Sequence, residues 1–303
     1  VYLDVTEGST EWPVEVSVAA SSLNEGKTVI YENVPAGYEV VEVGGVWKVI
    51  KSELWELVST ADELAEAITA NKSVIFANDI EQVDGVLITD KNITIDLNGK
   101  TFTVSEGAST NNRNFKINGS SIVTIKNGTM IAAGELTSGA YGTVRAEGDA
   151  VVNLEAVELY SYRGYGLNVK ANTGTKVNIK DSEIYSQYSG GVEAAGGTIE
   201  LTNVKIEQNG VYSGAAWCSV AIGVNGGGKV VVNSGEYKAA TIATDANAAQ
   251  GTWVAYVMSS GGTLKINGGT FNATVAETAS AANACGVICA DRAAVVNING
   301  GTF

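Results

Sequence analysis

One eight-residue phrase recurs eight times along this chain, and it restricts the fold more than any other feature. It reads IDLNGKTF at 95, VTIKNGTM at 123, VNLEAVEL at 152, VNIKDSEI at 177, IELTNVKI at 199, VVVNSGEY at 230, LKINGGTF at 264 and VNINGGTF at 296. Successive copies begin 28, 29, 25, 22, 31, 34 and 32 residues apart. Three of its columns are always apolar. The first runs Ile95, Val123, Val152, Val177, Ile199, Val230, Leu264, Val296; the second lies two residues on, from Leu97 to Ile298; the third lies five further, from Phe102 to Phe303. A gap of two is a strand showing one face. A jump of five across an Asn-Gly, Asp-Ser or Gly-Gly corner is strand, bend, strand, because Asn and Gly tolerate left-handed backbone.

A unit of this size with two or three short strands cannot bury its own apolar face, but copies stacked on one another can. The pattern therefore predicts an all-β fold, a parallel β-solenoid, with right-handed coils from the general crossover preference. A propeller blade is longer and carries its own signatures, and a sandwich does not repeat one phrase with three fixed apolar columns. Apolar stretches at GLNVKA 166, GGVEAA 190, SVAIGV 219, WVAYVM 253 and GVICAD 286 supply a further strand per coil. The variable spacing then places insertions at one corner, such as Ala239 to Gln250 and Asn272 to Asn283.

The stretch VSTADELAEAITANKSVIFANDI, followed by ITIDLNGKTFT, resembles the start of right-handed parallel β-helix domains. These form the pectate-lyase-like superfamily, which includes bacterial surface proteins and phage tail fibres and spikes. The resemblance spans 58–303, and it implies that a helix here plugs the open end of the first coil. The residues agree: Ser59 to Asn71 reads as a helix, with Thr60 and Glu63 as a capping box and Leu64, Ala67 and Ile68 as its apolar stripe. Residues 1–51 alternate as short strands at VEVSVAA 14, KTVIYENV 27, YEVVEV 38 and VWKVI 46, and read as a small antiparallel β-domain or part of one, with the immunoglobulin-like type as one option. The expected division is 1–51 β-domain, 52–72 linker and capping helix, 73–303 β-helix. The sequence ends at Phe303 in the middle of the repeated pattern, so the β-helix is expected to continue in a longer protein. No signal peptide or membrane span is read.

Composition removes several chemistries. With no His, neither Ser-His-Asp nor Cys-His catalysis nor a His-based metal site is open to the chain. Its 33 acidic against 19 basic residues argue against nucleic-acid binding. Asp84, Asp90, Asp96, Asp149 and Asp181 are scattered rather than gathered into a calcium loop. Cys218, Cys285 and Cys289 read as small buried fillers. No cofactor and no metal is expected. Arg is confined to positions 113, 145, 163 and 292, and no coil gathers the basic residues and carboxylates that the resembling lyases use.

Chemistry must then come from side chains stacked on the outer face, where coils repeat every ~4.8 Å. The column Glu158, Glu183, Lys205, Glu236 offers Glu158 and Glu183 as a carboxylate pair near the ~5 Å separation of retaining glycosidases; a charged outer column is the plainer reading. Lys126, Glu155 and Lys180 read as an ion-pair ladder, and Asn98, Asn233, Asn267 and Asn299 as a ladder of amides. Tyr160 and Tyr185 share one outward position in adjacent coils, with Tyr162, Arg163, Tyr165 and Tyr188 just beyond. Tyr offers a flat face and a hydroxyl, so the group reads either as a glycan or receptor platform or as an aromatic ladder strengthening the sheet.

The expectation is a non-enzymatic, extracellular β-helix at a cell surface or on a virion, part of a bacterial adhesin or a phage fibre or spike. Its expected partners are a cell-surface glycan or receptor, other copies of itself, or other structural subunits. A polysaccharide-acting lyase or hydrolase is one alternative, and a purely architectural filament or virion subunit is another.

Overall fold

A computed structural model describes residues 54–105, 113–133, 142–162, 164–170, 174–187, 190–209, 219–241, 252–258, 260–275 and 285–303, with five short strands before residue 52. It is a parallel β-solenoid. One sheet stacks Trp55–Val58, Ser73–Phe76, Asn92–Asp96, Ile122–Ala132, Val151–Ser161, Lys176–Ser186, Thr198–Gln208, Gly228–Val232, Gly262–Ile266 and Ala294–Ile298. A second sheet stacks Val86–Thr89, Phe115–Asn118, Val144–Ala146, Tyr165–Lys170, Gly190–Ala195, Ser219–Asn225, Thr252–Val257 and Cys285–Ala290. The pairings within both sheets are parallel. The later strands of the second sheet are those the apolar stretches predict; the first three, short and mixed in pattern, carry no such signal.

The three apolar columns meet inside. Val152, Leu154 and Leu159 lie fully buried over Val177, Ile179 and Ile184, and the third column closes with Tyr237, Phe271 and Phe303, their rings stacked in turn at 4.9 and 5.2 Å. The first copy of the phrase sits differently from its sequence alignment. Ile93, not Ile95, faces Val123, and Ile95, not Leu97, faces Ile125, while Phe102 still faces Met130. A slip of two keeps every side chain on its own face, so the apolar pattern does not distinguish the two registers. The surplus residues widen the corner, and Leu97 tucks inside it. Gly128 of the next coil must then be glycine: a Cβ there would lie 2.5 Å from that of Leu97.

The helix runs Ala61–Thr69, with the capping box between Thr60 and Glu63 formed in both directions. Leu64, Ala67 and Ile68 are buried against the first coil with Val58, Phe76 and Ile80. Trp55–Val58, within the segment read as linker and helix, adds a strand to the first sheet by pairing with Ser73–Phe76. Ahead of it, Val14–Glu15, Tyr38–Val43 and Val46–Lys51 form an antiparallel sheet. Tyr2–Asp4 and Ile30–Glu32 depart from that expectation and pair in parallel, an arrangement the long connection between them allows. Val41 packs on Trp55 and Ile75.

Candidate functional site

The site grows out of the second half of the phrase strand. In four successive coils this strand is 11 residues long and bends at Asn127, Ala156, Asp181 or Asn203, each at a positive φ of 50–59°. Beyond the bend the third apolar column points inward, so the residues on either side of it point out. Two outward columns result: Thr129, Glu158, Glu183, Lys205, Glu236, and beside it Ile131, Tyr160, Tyr185, Glu207, Lys238.

Tyr160 and Tyr185 stack with ring centroids 4.8 Å apart and planes 13° from parallel. That geometry decides which ring faces are open. Tyr160 and Tyr185 cover one face of each other. The second face of Tyr185 looks along the axis to Lys205, whose Nζ stands 5.1 Å from the ring centroid. The second face of Tyr160 looks to the preceding coil, where Ile131 holds the matching register position. Each hydroxyl donates to the glutamate two residues back on its own strand, Tyr160 to Glu158 at 3.2 Å and Tyr185 to Glu183. Lys205 Nζ donates to Glu183 at 3.2 Å and to the Tyr185 oxygen at 3.1 Å.

Next to this column lies a groove of about 500 Å³, within the range of small-ligand sites. Ile131, Ala132, Ala133, Tyr160 and Tyr162 line one end; Tyr185, Gln187, Glu207 and Asn209 line the other. Backbone bonds from Tyr162, Gln187 and Asn209 to the coil before each continue the ladder beneath it, so the floor is stiff. The undescribed segments 134–141, 163, 188–189 and 210–218 all fall at this point of their coils, between the phrase strand and the second sheet. The groove therefore lies at the corner where the repeat length varies.

The hydroxyl of Tyr185 holds the Glu183 carboxyl below its usual range; burial opposes this and Lys205 reinforces it. The same bond pushes the Tyr185 phenol up, and burial with the Glu158 charge raises that of Tyr160. Glu158 and Glu183 do face each other in register. A retaining pair needs one carboxyl raised to serve as acid and the other held ionised; the lowered Glu183 would meet only the second need.

Of the six residues expected to bind a ligand, Tyr160, Tyr162 and Tyr185 line the groove. Tyr165 does not: it is buried in the second sheet, 6% exposed, against Val220, Trp253 and Tyr256. It opens a new strand past the corner, so nearness in sequence does not carry it to the same face. Arg163 and Tyr188 lie outside the described residues, as do most of the two insertions named above and Cys218. Gln187, Glu207, Asn209 and Ile131 were missed. Extending the Tyr160–Tyr185 column by one coil each way would have found Ile131 and Glu207.

Other columns resolve differently. Asn299 donates to Asn267 and Asn267 to Asn233, both at 2.9 Å, but Asn98 bonds the Phe76 carbonyl because of the register shift. The register makes Asp96 the neighbour of Lys126, whose Nζ lies 3.6 Å away, and Lys180 pairs with Asp181. Cys289 faces outward, partly exposed, rather than filling the core. On the second sheet Arg145 and Lys116 bind Glu147, while Asn168 and Asn225 hold Glu193, whose carboxyl burial pushes up. This network satisfies itself. Among the described residues no group of three potential metal ligands gathers, and no helix is long and apolar enough to cross a membrane.

Comparison with protein-family models, with curated proteins and with solved structures gave no match.

Proposed function

We propose that this chain is a non-enzymatic binding solenoid of the pectate-lyase-like kind, presented outside the cell as part of a bacterial surface adhesin or a phage fibre or spike, and that its groove holds a glycan. The observation that carries this reading is the groove beside the Tyr160–Tyr185 stack. It joins partly exposed tyrosine rings and an aliphatic end to a set of amide, hydroxyl and carboxylate groups on a stiff sheet. A pyranose has the matching character, with an apolar C–H face and a rim of hydroxyls. The solenoid supports this role as a rod of at least eight coils, ~38 Å long at the ordinary strand spacing.

The test is a glycan array probed with the intact chain and with a Tyr160→Ala/Tyr185→Ala variant that keeps its β-sheet circular dichroism. Binding by the intact chain that falls at least tenfold in the variant is the expected result. An intact chain that binds no glycan on the array overturns the reading.

A further inference from the structure

We infer that the groove takes uncharged pyranosides and turns away glycans bearing carboxylate or sulfate groups. This rests on the glycan reading above and adds the chemical class of the ligand.

The argument turns on which charges remain available to a ligand. Among the described residues two ammonium groups stand near the groove, and both are engaged. Lys205 Nζ lies 3.2 Å from Glu183 and 3.4 Å from Glu207. Lys238 Nζ lies 3.4 Å from Glu207 and 3.9 Å from Glu236. The two columns thus set four carboxylates, Glu158, Glu183, Glu207 and Glu236, against two ammonium groups. An incoming anion has to displace one of these carboxylates and then sit beside it. Exposed ion pairs are individually weak, so the barrier is the uncancelled negative charge rather than any one bond. The field of the whole chain, net −14, adds to it at low ionic strength.

The lining agrees. Among the described residues its one charged member is Glu207, an acceptor suited to sugar hydroxyls and repelled by an anion. Gln187 and Asn209 add amide groups that both donate and accept. At the other end Ile131, Ala133 and the partly exposed ring of Tyr160 make an apolar wall for a C–H face or the methyl of an N-acetyl group. Among the described residues nothing along that wall compensates a charge. Acidic polysaccharides are, on this geometry, the wrong ligands.

The experiment uses matched glycan pairs on one array: a neutral core, and the same core capped by sialic acid, uronate or sulfate. The intact chain and a Glu207→Gln variant are compared at about 50 and 300 mM salt, after circular dichroism confirms an unchanged β-sheet. Neutral cores are expected to bind at least tenfold tighter than their charged counterparts. The ratio should shrink with salt and in Glu207→Gln. A merely structural role for Glu207 would weaken both members of a pair alike and leave the ratio unmoved, which counts against the inference. Equal or tighter binding of the charged glycans overturns it while the glycan reading stands. Binding of neither member removes the glycan reading and this inference with it.

Discussion

Ala156 holds φ at 51° in the place that Asn127, Asp181 and Asn203 fill in neighbouring coils. Left-handed backbone costs an ordinary L-residue roughly 1–2 kcal/mol, and least for Asn, Asp and Gly. Ala156 is exposed and faces Asn127 and Asp181 across the ladder, so an Asn there meets no core. Ala156→Asn should stabilise the chain by about 0.5–1 kcal/mol and Ala156→Val should destabilise it by more than that, as read from urea midpoints. A second residue-scale expectation concerns Glu183. Its pKa is lowered on folding, so the stability it contributes is present above the ordinary carboxylate range and is lost as pH falls through the lowered value. Tyr185→Phe removes the hydroxyl that contributes most to the shift. Carbon-13 titration should then find the Glu183 carboxyl moved up toward the ordinary glutamate range, but only in part, because Lys205 remains. An unmoved Glu183 would show that the Tyr185 hydroxyl does not hold it.

At the scale of elements, the capping helix has nine residues, too few to stand alone in water. It persists because Leu64, Ala67 and Ile68 are buried and because its first turn is capped. Thr60→Ala removes the acceptor for the Glu63 N–H and should cost about 1 kcal/mol in chemical unfolding; a cost near zero would mean that packing alone fixes the helix. The corners form two classes. The middle four coils turn through a left-handed residue within a continuous strand; the late coils break the strand at Gly235, Gly269 or Gly301, with φ of 109–132°. At Gly269 a Cβ would lie 3.1 Å from the Gly235 carbonyl oxygen, so this class is closed to other residues on two counts. Only the middle class continues the outward columns without a break, and the groove lies there.

Across the whole molecule each coil touches only its neighbours, so stability is carried along the stack by interfaces between coils. Lys176–Ser186 is paired along both edges, to Val151–Ser161 and Thr198–Gln208, whereas within these 303 residues Ala294–Ile298 is paired along one. Native-state hydrogen exchange should find the Lys176–Ser186 amides the slower by at least tenfold. Uniform protection along the stack would instead mean that the coils unfold as one unit.

The sequence by itself determined the solenoid, the capping helix with its Thr60–Glu63 box, and the stacking of Tyr160 on Tyr185. Each follows from a spacing: a period-two strand, a capping-box interval, an equal offset in successive copies. Tertiary structure alone decided the rest. The register of the first phrase copy depended on a slip of two, which leaves the inside–outside pattern unchanged, and was settled by how Leu97 packs against Gly128. The loss of Tyr165 from the tyrosine group depended on where the chain turns to a new sheet. The groove itself required Ile131, Tyr160, Gln187, Glu207 and Asn209 to meet, residues drawn from four coils and adjacent only once the coils are stacked.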